Sequence, residues 1–149
     1  MKCVLVDTSF IVALLDKGEQ HHATCKKLLG SVGAPLLTCE AVIAESCYLL
    51  RNLRGAADAV LANVAAGILQ IPFDLSINAG RVREIMRQYS NIPANLADSC
   101  LVALAEEYDT GLIQILGSIA GIRTSRSVIY STLGQREAGG ADSLQQRGS

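Results

Sequence analysis

The stretch Val4-Leu-Val-Asp7-Thr-Ser-Phe-Ile-Val-Ala-Leu-Leu15 decides the fold. Lys2–Val6 is a short run rich in β-branched residues, the composition of a buried strand. It stops on the carboxylate of Asp7, and Ser9–Asp16 resumes as an apolar helix. A strand that feeds directly into a helix opens a crossover unit. In open parallel sheets, ligands bind outside the carboxyl ends of such strands, where Asp7 stands.

The alternation continues outward from there. Gln20–Val32 reads as a second helix, Pro35–Cys39 as a second strand and Glu40–Leu53 as a helix ending near Arg51 and Arg54. Ala56–Ala66 is a helix stopped by Gly67, and Ile68–Phe73 is a third strand. Ser76 is expected to cap a helix running to Tyr89, and Asn95 another running to Tyr108. Leu112–Leu116 is a fourth strand and Val128–Leu133 a fifth. The fold class is therefore α/β: an open, mostly parallel sheet of four to five strands with helices on both faces.

With 149 residues, half of them apolar, the chain can bury the core of about one domain. That domain is expected over 1–133. Residues 134–149 are mostly Gly, Gln, Ser and Arg, with Leu144 as the one large apolar side chain, the composition of a disordered tail. Thirteen Lys and Arg against fourteen Asp and Glu give a net charge of −1, which excludes coating nucleic acid by bulk charge. A local basic patch stays open, since nine of the thirteen bases are Arg. No apolar run is long enough for a membrane span, and Asp7 interrupts any signal-like start. Five cysteines without a C-x-x-C pair read as small buried hydrophobes in a reducing cytosol, neither a zinc site nor a disulfide frame.

Three carboxylates carry the chemistry. Asp7 is either a plain helix cap or a ligand at the sheet edge. Glu45 projects roughly 40° from Leu49 and roughly 60° from Val42, at the edge of the buried stripe, where it needs a partner. An ion pair with a nearby Arg is the simpler reading. Asp98 falls inside the apolar arc of Leu101, Val102 and Ala105, while also being an acid in a helix's first turn, favoured by the dipole. Gathered at one edge, such acids repel: at ~4 Å and an effective dielectric of ~20, each pair costs about 4 kcal/mol. A hard cation, Mg2+ or Mn2+, resolves this, and a ligand set without His or Cys fits it better than zinc. Adjacent His21 and His22 do not face together, no G-x-S-x-G elbow is present, and no Gly-rich phosphate loop occurs.

At these residues the chain resembles a known family. The opening segment, the middle Thr38-Cys-Glu-Ala-Val-Ile-Ala-Glu45 and the later Pro93-Ala-Asn-Leu-Ala-Asp98-Ser-Cys-Leu-Val-Ala-Leu-Ala105 look like the PIN domain, in the right order and over the chain up to about Tyr108. Within it, the VapC-type toxins of bacterial toxin–antitoxin pairs are the most similar. The resemblance implies a cytoplasmic, Mg2+- or Mn2+-dependent endoribonuclease that hydrolyses RNA phosphodiesters. Asp7, Glu45 and Asp98 would be its catalytic, metal-binding acids. Thr8, Ser9 and Asn95 would assist, Ser9 by orienting Asp7. The partners implied are RNA, a cognate antitoxin held in an apolar groove, and a second copy in a homodimer; a mean hydropathy of +0.31 agrees with covered apolar surface.

Two departures stand out. Asn95 replaces the acid that often precedes the third catalytic one by three residues. Where the family follows the fourth strand with a Thr-x-Asp-x-Asp-Phe-like segment, this chain reads Ile115-Leu-Gly117-Ser-Ile119-Ala-Gly121, and no acid occurs from Thr110 to Arg136. An alternative is thus a catalytically impaired PIN fold that acts by binding RNA or a protein. A phosphoacceptor receiver or phosphatase fits less well, because Ser9 stands where the phosphatase needs an acid and the last Lys is Lys27.

Overall fold

The computed structural model describes residues 3–31, 33, 35–90, 96–108, 113–116 and 128–131; for Cys3 and the last two segments only the strand placement is described. Strand β1 (Cys3–Val6) leads into α1 (Thr8–Leu15) and α2 (His22–Ser31), then β2 (Leu36–Leu37), α3 (Glu40–Leu49) and α4 (Ala56–Ala65). Strand β3 (Leu69–Gln70), α5 (Leu75–Gln88), α6 (Leu96–Glu107), β4 (Ile113–Leu116) and β5 (Val128–Ser131) follow. All five strands form one parallel sheet in the order β3-β2-β1-β4-β5. This is the α/β architecture expected, and the boundary at 133 lies outside the described residues.

Strand β1 is central, so Val4, Leu5 and Val6 are buried on both faces. The chain moves outward from β1 to β2 and β3, then returns to lay β4 on the other side of β1. Right-handed crossovers put α1–α4 on one face and bring α5 and α6 to the other. In the packing, α1 touches α2, α3 and α4, α5 packs on α6, and α3 also meets α6. Helix α6 is apolar nearly all round, with Ala97 and Ser99–Ala105 buried, as a helix threaded through a core must be. An Arg81 fork to Glu106, at 2.7 and 2.6 Å, ties α5 to α6 at the surface.

Several boundaries differ from the sequence expectation. The cap of α5 is Asp74, whose carboxylate accepts from the Ser76 N–H and hydroxyl; Ser76 is already inside the helix. Asp wins because its carboxylate sits one residue before the first helical position, where the orphan N–H groups point. Helix α3 ends at Leu49 instead of Leu53, since Leu50–Leu53 turns toward Gly55, which adopts a positive φ of 79°. Strands β2 and β3 are only two residues each, shorter than their apolar runs. The cap expected at Asn95 lies outside the described residues.

At the carboxyl edge, the Thr38 hydroxyl just past β2 donates to the Val6 carbonyl at 3.0 Å, in a fully buried setting. The Ser99 hydroxyl is buried with no hydrogen-bond partner among the described residues. The two hydroxyls should respond oppositely to removal. Thr38→Val should lower unfolding free energy by about 1–2 kcal/mol, while Ser99→Ala should be neutral or stabilising. Denaturant unfolding of both variants checks this; equal losses would contradict the assignment.

Candidate active site

The first acid is set by the strand-to-helix junction. Asp7 is 3% exposed and is the N-cap of α1, with extended backbone and Oδ1 accepting from the Phe10 N–H at 3.0 Å. It is therefore a helix cap, and it also lies at the switch point of the sheet. β1 is flanked by β2 and β4, whose connections leave in opposite directions, and this opens a crevice at the strand ends. Val6 pairs with Leu116, so β4 ends beside the residue that precedes Asp7. Gly117 and Ile119 themselves lie outside the described residues.

The second acid comes from α3. Glu45 is half-buried, as its place at the edge of the apolar stripe predicts, beside buried Val42, Ile43 and Ser46. The Thr8 hydroxyl donates to Glu45 Oε2 at 3.0 Å, across 37 residues of sequence. This bond brings Glu45 to the residue next to Asp7. Ser9, expected to orient Asp7, is exposed on α1. The sequence offered Thr8 as an auxiliary residue but gave no signal of its partner.

The third acid opens α6. Asp98 is half-buried in the first turn, where the helix dipole favours a carboxylate, and its neighbours Leu101, Val102 and Ala105 are buried as projected. Helix α3 packs against both α1 and α6, so the helix of Glu45 lies between the one begun by Asp7 and the one begun near Asp98. Contact at the helix starts is direct: Cys39 Sγ lies 4.0 Å from the Ala97 carbonyl. Asn95 lies outside the described residues.

An all-carboxylate donor set suits a hard cation. Among the described residues, no three His, Cys, Asp or Glu side chains close into a cage. Mg2+ needs less, because it is held through one or two carboxylates and keeps several waters. The pairing of Asp7 and Glu45 through Thr8 fits that requirement.

Several contacts around the site were not legible in sequence. His22 is half-buried, and its Nδ1 lies 2.8 Å from the Ala13 carbonyl; a carbonyl only accepts, so Nδ1 carries the proton. This pins α2 to α1. On the same helix Cys25 is fully buried, and burial, aided by the charges of Asp7 and Glu19, pushes its thiol up to about 11. At the start of α3 the neighbouring Cys100 thiol, with burial, pushes the Cys39 thiol up, while Cys39 pulls Cys100 down.

The PIN domain family model matches residues 4–117. The chain is 29% identical over 115 residues to Ribonuclease VapC26 of Mycobacterium tuberculosis (strain ATCC 25618 / H37Rv), covering 76% of this chain and 85% of the relative. Among solved structures it is similar to the crystal structure of Mycobacterium tuberculosis VapC20, a sarcin-ricin loop cleaving toxin. The TM-score is 0.65 and the identity 22%, over 74% of this chain and 86% of that one. A parallel α/β sheet with acids at its switch point is thus that of a known class. The chain belongs to the PIN domain family and is similar to the VapC toxins within it.

The raised Cys25 thiol makes stability depend on alkaline pH. Its folded pKa lies above the ordinary value near 9, so its contribution is whole below pH 9 and is lost as pH rises through about 11. Thermal unfolding from pH 8 to 11 should show a steeper decline for the wild type than for Cys25→Ala. Parallel curves would remove Cys25 as a cause.

Proposed function

We propose that this protein is a Mg2+- or Mn2+-dependent endoribonuclease, the toxin of a toxin–antitoxin pair. The observation that carries this is the hydrogen bond from Thr8 to Glu45, which gathers two family acids at the end of β1. Membership of the PIN family and similarity to a ribonuclease support it. Asp7, Glu45 and Asp98 would hold the ion. Bound there, it would activate water and stabilise the departing oxygen of an RNA phosphodiester. The chain's own residues do the positioning. The Phe10 N–H fixes Asp7, the Thr8 hydroxyl orients Glu45, and the first turn of α6 stabilises the ionised form of Asp98. Ser9 and Asn95 complete the set as auxiliary residues.

The second reading, an impaired PIN fold acting by binding, rests on a specific feature: no acid occurs from Thr110 to Arg136. One assay separates the two. RNA cleavage is titrated with Mg2+ for the wild type, Asp7→Asn and Gly117→Asp, each confirmed folded. Asn caps a helix as well as Asp does, so Asp7→Asn should keep its stability and lose cleavage by about 100-fold or more. Gly117→Asp should lower the Mg2+ needed, by supplying an acid in a stretch that has none from Thr110 to Arg136. Activity that survives in Asp7→Asn would sink the acid-cluster mechanism; silence in all three would leave the binding reading.

The antitoxin and a second copy of the chain are the protein partners in this reading. A groove of about 430 Å³ between the end of α1 and the start of α4, lined by Leu15, Lys17, Leu53, Arg54, Ala56 and Ala59, supports a peptide partner. Exposed Tyr48, Leu49, Leu61 and Ile77 support self-association. No described helix is long and apolar enough to cross a membrane, and a cytoplasmic location belongs to the same proposal. Light scattering at high concentration should return a dimer mass; a strict monomer would contradict the homodimer.

A further inference from the structure

Cys39 and Cys100 take no part in the chemistry above, yet they meet where two acid-bearing helices meet. Each is 1% exposed. Cys39 is the N-cap of α3, but its side chain makes no capping bond to its own helix. It faces α6, with Sγ 4.0 Å from the Ala97 carbonyl. Ala97 and Cys100 are three residues apart and share one helix face. The packing of α3 on α6 thus brings the two thiols to one helix contact, and both are free.

We propose that Cys39 and Cys100 form a dithiol that oxidises to an intramolecular disulfide, cross-linking the start of α3 to the start of α6. With a peroxide as oxidant, one sulfur attacks an oxygen, giving a sulfenic acid and releasing one water. The second thiol attacks that sulfur, the S–S bond forms, and a second water leaves. Two thiol hydrogens and two electrons pass to the peroxide. The two sulfurs must close to about 2 Å. That shift falls on the extended residue before α3 and on the first turns of α6. A reducing cytosol keeps the pair open, and oxidative stress closes it.

The consequence for activity rests on the function proposed above, because α3 carries Glu45 and α6 carries Asp98. Drawing the helix starts together moves one acid relative to the other. A misplacement of about 1 Å can cost about 100-fold in rate, so the oxidised form should cleave RNA at least about tenfold more slowly.

The full chain is treated with hydrogen peroxide or diamide, denatured, and its thiols counted; cross-linked peptides are then mapped by mass spectrometry. The expected result is the loss of two of the five thiols, a peptide joining Cys39 to Cys100, and full recovery with dithiothreitol. Retention of all five, or a bond between any other pair, overturns the proposal. Cys39→Ala and Cys100→Ala, made separately, should each keep their remaining four thiols, so one variant suffices if the other fails to fold. Cleavage is assayed on the same samples. A disulfide that maps correctly but leaves cleavage unchanged refutes the control of activity. No cleavage in the reduced protein would instead count against the nuclease reading, while the peptide map still decides the cross-link.

Discussion

A buried carboxylate at the end of the central strand sets the terms for the rest of the molecule. Removing an ionised group from water costs several kcal/mol unless hydrogen bonds and dipoles replace the solvent. Asp7 obtains that replacement from the Phe10 N–H and from the positive end of α1. The carboxylate must therefore sit where the strand becomes a helix. The strand, buried on both faces, must lie in the middle of the sheet. The central strand then separates the outgoing connections from the returning ones, which opens the crevice at its carboxyl end. Capping and ligand-binding roles for Asp7 are thus compatible: the cap holds the oxygen in place, and the topology supplies the opening.

The second acid shows why a hydroxyl is a useful partner. Thr8 orients the carboxylate of Glu45 with a neutral donor. The same economy holds at Thr38, whose hydroxyl ties β2 to β1 through the Val6 carbonyl without introducing charge at the sheet edge. A short strand such as Leu36–Leu37 has few ladder bonds, so this side-chain link helps to fix where β2 ends.

Long periodic segments were legible in the sequence; local competitions were not. The helices at Ala56–Ala65 and Leu96–Glu107 fall where periodicity puts them, and the apolar arc around Asp98 is buried as projected. The cap of α5 was misread because Asp74 and Ser76 are both good caps and only geometry decides between them. The apolar runs at 35–39 and 68–73 exceed their strands because burial does not require pairing; Phe73 is buried yet outside β3. At the site, the position of Glu45 on its stripe was visible, but its link to Thr8 was not. A contact across 37 residues depends on how α1 lies against α3, which periodicity does not encode.

The family match ends at residue 117, near the start of the acid-free stretch, and parallel pairing of β1 with β4 gives that coincidence physical meaning. Leu116 pairs with Val6, the residue before Asp7, and the fourth acid of the family pattern is expected after that strand. Three mutually repelling carboxylates contain three like-charge pairs, and four contain six. At about 4 kcal/mol per close pair, the fourth acid would double the strain of an ion-free site. It would also supply much of the pull on a cation. Between Thr110 and Arg136 this chain instead carries Arg123, Arg126 and Arg136 without an acid. In the function proposed above, a site of three acids would need a cation less for stability and would attract it less strongly. Its chemistry would then depend on the orientation of Asp7, Glu45 and Asp98 more than on their number.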